Sequence, residues 1–321
     1  MDEASSRFVD KIALERLVHG KLALVRHRPT ASMSDLEKLT LRDLVRFDAQ
    51  TEVSCGRGPE TTLLRSKADD LDPLQDWCPL VHYHAPNPKG TLLLVHGLFE
   101  DNRNIYGYLI GELNKHGYSV YLTTLPYHYE RTPQSSAFSG EYFFSADLGR
   151  TKAAFCRACA EVHQAYQWLT ASSSGPTFVV GFSMGAAVSL AVAALSHAFR
   201  GLFVINPAAS LTDVMWTSPL CQTLKRDLID AGYHQSDIER VLASFDPCLL
   251  THPAMDLARI QMSYALYDQV TSIDQYEALI KRWNLSNVRS YKAGHLNTLR
   301  VPRLAEDIAT FFNGLSITPA Y

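Results

Sequence analysis

The segment Phe178-Val179-Val180-Gly181-Phe182-Ser183-Met184-Gly185-Ala186-Ala187 constrains this chain more than any other. An apolar run suited to a buried strand passes, through Gly-x-Ser-x-Gly, into an Ala-rich helical stretch. Glycine and alanine at these positions let a strand and a helix approach almost to backbone contact. A serine on so tight a turn projects its hydroxyl over the sheet edge. The helix start adds free N–H groups and a positive dipole end, which favour a developing anion. Gly-x-Ser-x-Gly alone is a modest signal, and the strand before it and helix after it make it specific.

The surroundings repeat the same grammar from residue 79 onward. Short apolar runs at 81–84, 91–95, 118–123, 177–180, 202–205, 260–266 and 288–291 read as strands. Helical patterns at 105–116, 147–170, 183–199, 273–283 and 301–312 lie between or after them. Strands alternating with helices imply a mostly parallel sheet with right-handed crossovers and helices on both faces. In such a sheet the reactive groups sit on loops at the carboxyl ends of the strands.

Each further element of a serine-based site stands at such an end. A serine hydroxyl needs a base. His295, in Lys292-Ala293-Gly294-His295-Leu296, is the histidine that follows the final strand. The base needs an orienting carboxylate. Asp268 follows the next-to-last strand, giving the chain order Ser, Asp, His. Asp213, after the 202–205 strand, is a rival, and Asp274 a weaker one. The run Leu92-Leu93-Leu94-Val95-His96-Gly97-Leu98-Phe99 carries a strand into a flexible His-Gly loop. The backbone amides of Leu98 and Met184 are the expected oxyanion hole, and His96 is expected to brace that loop.

Taken together, His96-Gly97, Gly181–Gly185, Asp268 and Gly294-His295 resemble the alpha/beta hydrolase superfamily over residues 79–312. The resemblance implies the alpha/beta hydrolase fold and acyl transfer through a Ser–His–Asp triad, and it implies no substrate. A second stretch, Leu125 to Pro133 followed by Ser139 to Phe144, is similar to a segment of a bacterial branch of that superfamily and implies no chemistry.

The expected organisation has three parts. Residues 1–78 form an N-terminal extension packing on the core, with an amphipathic helix over 8–25 presenting Phe8, Ile12, Leu14, Leu17 and Val18. A membrane-surface role for that helix is the sharper alternative. Residues 79–209 and 257–321 form the hydrolase core, and residues 210–256 a helical cap. Apolar cap residues such as Met215, Trp216 and Phe245 suit an acyl or aromatic group, or serve only to glue cap to body. Phe99, Tyr127, His128, Arg131 and Trp216 are candidate substrate contacts. For Arg131, an ion pair with Glu130, Glu141 or Asp147 is the blander expectation.

Composition narrows the remaining classes. A formal net charge of -3 argues against bulk attraction to nucleic acid. No apolar run approaches the roughly 20 residues of a membrane helix, and an acidic Met1-Asp2-Glu3 start does not resemble a secretory signal. Six scattered cysteines suit a reducing cytoplasm. Cys156-x-x-Cys159 falls inside a helical pattern and reads as packing, while His82 and His84 lack a third ligand, so neither metal nor cofactor is expected. The expected partner is a small acyl substrate, with oligomeric state left open. An esterase or thioesterase, an acyltransferase or cyclase using the same triad, and a binding protein on a hydrolase scaffold remain as alternatives.

Overall fold

The computed structural model describes residues 2–21, 26–31, 33–38, 40–41, 45, 52–56, 60–66, 73–250 and 253–317. Among the described residues nine strands make one sheet: β1 (Val53–Cys55), β2 (Thr61–Arg65), β3 (Trp77–Tyr83), β4 (Gly90–Val95), β5 (Tyr118–Thr123), β6 (Thr177–Phe182), β7 (Leu202–Ile205), β8 (Ile260–Ala265) and β9 (Val288–Tyr291). Their order is β1-β2-β3-β5-β4-β6-β7-β8-β9. From β5 to β9 every neighbouring pair is parallel, whereas β1, β2 and β3 join antiparallel. This is the mostly parallel sheet of an alpha/beta hydrolase fold.

Helices cover both faces. In chain order they are α1 (Glu3–Glu15), α2 (Met33–Lys38), α3 (Gly107–Lys115), α4 (Leu148–Ser172), α5 (Met184–Leu195), α6 (Leu211–Thr217), α7 (Gln222–Asp230), α8 (Gln235–Leu242), α9 (Ile273–Trp283) and α10 (Pro302–Ile317). Alternation along the strands divides the core in two. Leu93, Val95 and Val179 face the layer of α4, α5 and α9, while Leu92, Leu94, Phe178, Val180 and Phe182 face α3 and α10. Because β4 and β6 are buried on both sides, they read as continuous apolar runs in the sequence. Cys156 and Cys159 are buried in α4 as free thiols, where burial pushes Cys156 up to about 12.

Two features of the extension differ from expectation. The first 78 residues supply β1, β2 and the start of β3, so the sheet continues across residue 79. The helix near the N-terminus ends at Glu15, a π-helical turn follows over 16–21, and residues 22–25 of the expected helix lie outside the described set. Its inward face also differs. Phe8 is 61% exposed, and the buried residues are Ser6, Asp10 and Leu14. This helix therefore docks through Ser6, Asp10 and Leu14, and Leu17 and Val18 after it pack against the core as expected, while Phe8 turns outward.

Between β7 and β8 the chain forms α6, α7 and α8 in sequence. The N-terminal segment holds this helical stretch to the body. The Arg26 guanidinium bonds Asp227 and Asp230, the His27 amide donates to Asp227, and the His27 ring meets Glu141 at 3.0 Å. Among the described residues no helix is long and apolar enough to cross a membrane.

Candidate active site

Ser183 sits between β6 and α5 with φ 53° and ψ −116°, a conformation that L-residues avoid. Such a conformation costs on the order of 1–3 kcal/mol and persists only where the surroundings impose it. Here they do. The Ser183 amide donates to the Ile205 carbonyl at 2.9 Å, and its own carbonyl accepts from Ala186, Ala187 and Ala208, each at 3.1 Å. The flanking glycines have no alternative residue. A Cβ on Gly181 would lie 2.7 Å from the Ala186 Cα, and one on Gly185 would lie 2.3 Å from the Val95 and His96 carbonyl oxygens.

This turn points the hydroxyl at a histidine 112 residues away. Ser183 Oγ and His295 Nε2 are 2.9 Å apart, and His295 Nδ1 is 2.7 Å from Asp268 Oδ2. Asp268 carries no proton to share with Nδ1 when ionised, so Nδ1–H donates to it and Nε2 is left to accept from the serine hydroxyl. The carboxylate is itself fixed: Oδ1 accepts from the Val270 and Thr271 amides, and Oδ2 also accepts from the Tyr276 hydroxyl at 2.6 Å. Asp213 instead lies in the first turn of α6, where its amide bonds Ser210 Oγ, and Asp274 lies in the first turn of α9. Burial lowers the His295 pKa, but the carboxylates of Asp268, Asp10 and Glu100 outweigh it and leave the imidazole above its ordinary value.

The loop after β4 is held from behind by neutral histidines. His96 Nδ1–H donates to the Gly97 carbonyl at 2.7 Å, while Nε2 accepts from the Leu125 amide. Burial pushes its pKa well down, so it braces the loop and takes no proton. The Gly97 amide turns inward to Glu100 Oε1 and Tyr106 Oη, and the Phe99 amide turns to His128 Nε2. Neither the Leu98 nor the Met184 amide has an acceptor among the described residues. These are the two N–H groups expected from the sequence to face an oxyanion. Phe99, Tyr127 and Tyr129 all have φ between 49° and 62°, so strained backbone gathers in the loops after β4 and β5.

The proposed substrate contacts divide. Phe99 is buried, edge-on to Phe138 at 5.5 Å. His128 is buried with both ring nitrogens engaged, Nδ1 with the Pro126 carbonyl, and burial lowers it to about 4. Arg131 makes a two-pronged pair with Glu161, 2.7 and 2.8 Å, and its Nη atoms also bond the Thr124 and Gln75 carbonyls. A substrate anion would have to displace Glu161, so Arg131 is a structural ion pair, with a partner other than those expected. Trp216 is half-buried, with the Lys225 ammonium 5.0 Å from its ring, and Tyr127 lies edge-on to Tyr142.

Sequence reasoning missed three carboxyl and phenol groups around this centre. Asp10, Glu100 and Tyr276 reach His295, the Gly97 amide and Asp268 respectively. Glu100 is buried among Gly97, Tyr106 and Tyr129, and burial pushes it up to about 7. No periodicity marks such residues: Asp10 meets a loop 285 residues away, and Glu100 and Tyr276 meet partners within irregular loops.

A family model described as alpha/beta hydrolase fold matches residues 90–228. No curated protein sequence matches the chain. Among solved structures it is similar to an acetyl xylan esterase from Paenibacillus sp. R4, at 14% identity and a TM-score of 0.55, covering 92% of this chain and 98% of that one. The Pyrococcus furiosus esterase Pf2001 is similar at 15% identity and a TM-score of 0.50, covering 91% and 99%. A lipase in its open form is similar at 14% identity and a TM-score of 0.50, covering 84% and 99%. The chain has the alpha/beta hydrolase fold, and the family model of that fold matches its residues 90–228. These distant likenesses carry the fold and no particular activity.

Proposed function

We propose that this protein is a serine hydrolase that cleaves a carboxylic ester or thioester through an acyl-enzyme on Ser183. The observation that carries this reading is the His295 imidazole, bonded to Ser183 Oγ at 2.9 Å on one side and to Asp268 at 2.7 Å on the other. Ser183 Oγ attacks the acyl carbon as its proton passes to His295 Nε2. The carbonyl oxygen becomes an anion between the Leu98 and Met184 amides, where each donor is worth roughly a hundred- to a thousand-fold in rate. The tetrahedral adduct collapses, and Nε2–H gives its proton to the departing alcohol or thiol. Water then repeats the sequence on the acyl-serine, with His295 again as base and Asp268 holding its Nδ1–H. No cofactor enters this scheme.

The names of the structural neighbours, two esterases and a lipase, agree with an ester bond. The 210–256 stretch is read as the cap that supplies the acyl wall. A panel of p-nitrophenyl esters and acyl thioesters tests the reading, with products compared in water alone and with an added amine or alcohol. Hydrolysis of at least one class, lost on the order of a thousand-fold or more in Ser183→Ala, is expected. Equal turnover by Ser183→Ala would overturn it, and acyl products formed only with the added acceptor would make the enzyme a transferase.

A further inference from the structure

The N-terminal helix lies outside the matched family segment, yet its buried polar stripe meets the loops that carry both the base and the acid. Asp10 Oδ2 accepts from the His295 amide at 2.6 Å, and Oδ1 accepts from the Leu296 amide at 3.2 Å. Gly294 leaves the space for this contact: a Cβ there would stand 2.5 Å from Asp10 Oδ2 and 2.8 Å from the Ser6 carbonyl oxygen. One turn earlier the Arg7 carbonyl accepts from Gln269 Nε2 at 2.9 Å, beside Asp268, and the Arg7 guanidinium lies 6.0 Å from the Tyr267 ring centre. A buried carboxylate aimed at two backbone amides is a costly way merely to attach a helix. Leu14, Leu17 and Val18 already supply an apolar attachment, and Phe8 and Val9 beside Asp10 are exposed.

We propose that Asp10 is a positioning residue for His295, and that α1 clamps the His295 and Asp268 loops in register. This rests on the serine hydrolase reading. Two effects follow from the geometry. The two charge-assisted hydrogen bonds fix where the imidazole stands against Ser183 Oγ. The carboxylate also lies close enough to favour the charged form of the ring, together with Asp268 and Glu100, which face His295 from the β8–α9 and β4–α3 loops. Of the cations on the same helix, Arg7 pairs with Glu3 and lies over the Tyr267 ring, and Lys11 faces Glu15. Because the contact spans 285 residues of sequence, release of α1 would slacken the base without touching the β6–α5 turn.

The test compares wild type with Asp10→Asn, which keeps the shape and removes the charge. The rate of Ser183 modification by a fluorophosphonate is followed from pH 5 to 9, and His295 is titrated by NMR in both proteins. Expected are a fall in rate of about tenfold or more at the plateau and an acid limb displaced downward by about half a pH unit, with the same displacement in the imidazole titration. A rate profile and a His295 titration that coincide in the two proteins would overturn the proposal. A general loss of folding in Asp10→Asn leaves the wild-type titration to decide, since a His295 that titrates at or below the ordinary value contradicts the role. Failure of wild type to react with the probe at all would count against the hydrolase reading, while the paired titrations still judge Asp10.

Discussion

At the scale of the residue, Asp268 shows how one group sets the direction of every proton around it. All of its four partners are donors: the Val270 and Thr271 amides on one oxygen, the Tyr276 hydroxyl and His295 Nδ1 on the other. An amide in its place must turn its NH2 towards two of them. Backbone amides have no alternative acceptor, but Tyr276 can rotate its hydroxyl and His295 can change tautomer. Asp268→Asn therefore leaves the oxygen on the backbone side and forces the proton of His295 onto Nε2, where it blocks acceptance from Ser183. A loss in kcat on the order of a thousand-fold or more is expected, with a melting temperature within a few degrees of wild type. Near-normal turnover, with the loss appearing in Asp213→Asn, would move the acid to Asp213. Ser183, Asp268 and His295 were legible in the sequence because each follows a strand whose end a reader can find. Asp10, Glu100 and Tyr276 were not: Asp10 reaches a loop 285 residues away, and the folding of irregular loops back on themselves sets the contacts of the other two.

At the scale of the element, legibility followed burial. Strands buried on both faces, β4 and β6, declare themselves as apolar runs, and α5 declares itself through its alanines. Strands β1 and β2 are short and partly polar, β1 exposed throughout and β2 mostly half-buried, so they carry no such signature. The first helix misled for a related reason. Phe8 of its expected apolar face is exposed, while the docking face carries Asp10, which accepts from two backbone amides. The helical stretch α6 to α8 makes its own prediction. If it walls the acyl pocket, Trp216→Ala should lower kcat/KM for the acyl lengths that reach Trp216 by about 1–3 kcal/mol, and leave shorter ones less affected. A uniform fall across the acyl series, tracking a lower melting temperature, would mean that Trp216 only joins these helices to the body. An unchanged profile in a stable variant would place the pocket nearer Phe99 and Tyr127.

At the scale of the whole molecule, one sheet gathers groups from distant parts of the chain onto one edge. The end of β6 brings the Ser183 hydroxyl, the loops after β8 and β9 bring Asp268 and His295, and the loop after β4 brings the Leu98 amide, which has no acceptor among the described residues. The N-terminal helix closes this constellation from outside the sheet. The central claim is that the constellation makes Ser183 a nucleophile only when the chain is folded. Peptide mapping by mass spectrometry after treatment with a fluorophosphonate measures this most directly. One phosphonyl adduct on the peptide containing Ser183 is predicted, absent from protein denatured beforehand, from Ser183→Ala and, at equal exposure, nearly absent from His295→Ala. A folded protein with no adduct, or an adduct on another residue while Ser183 stays free, would contradict it.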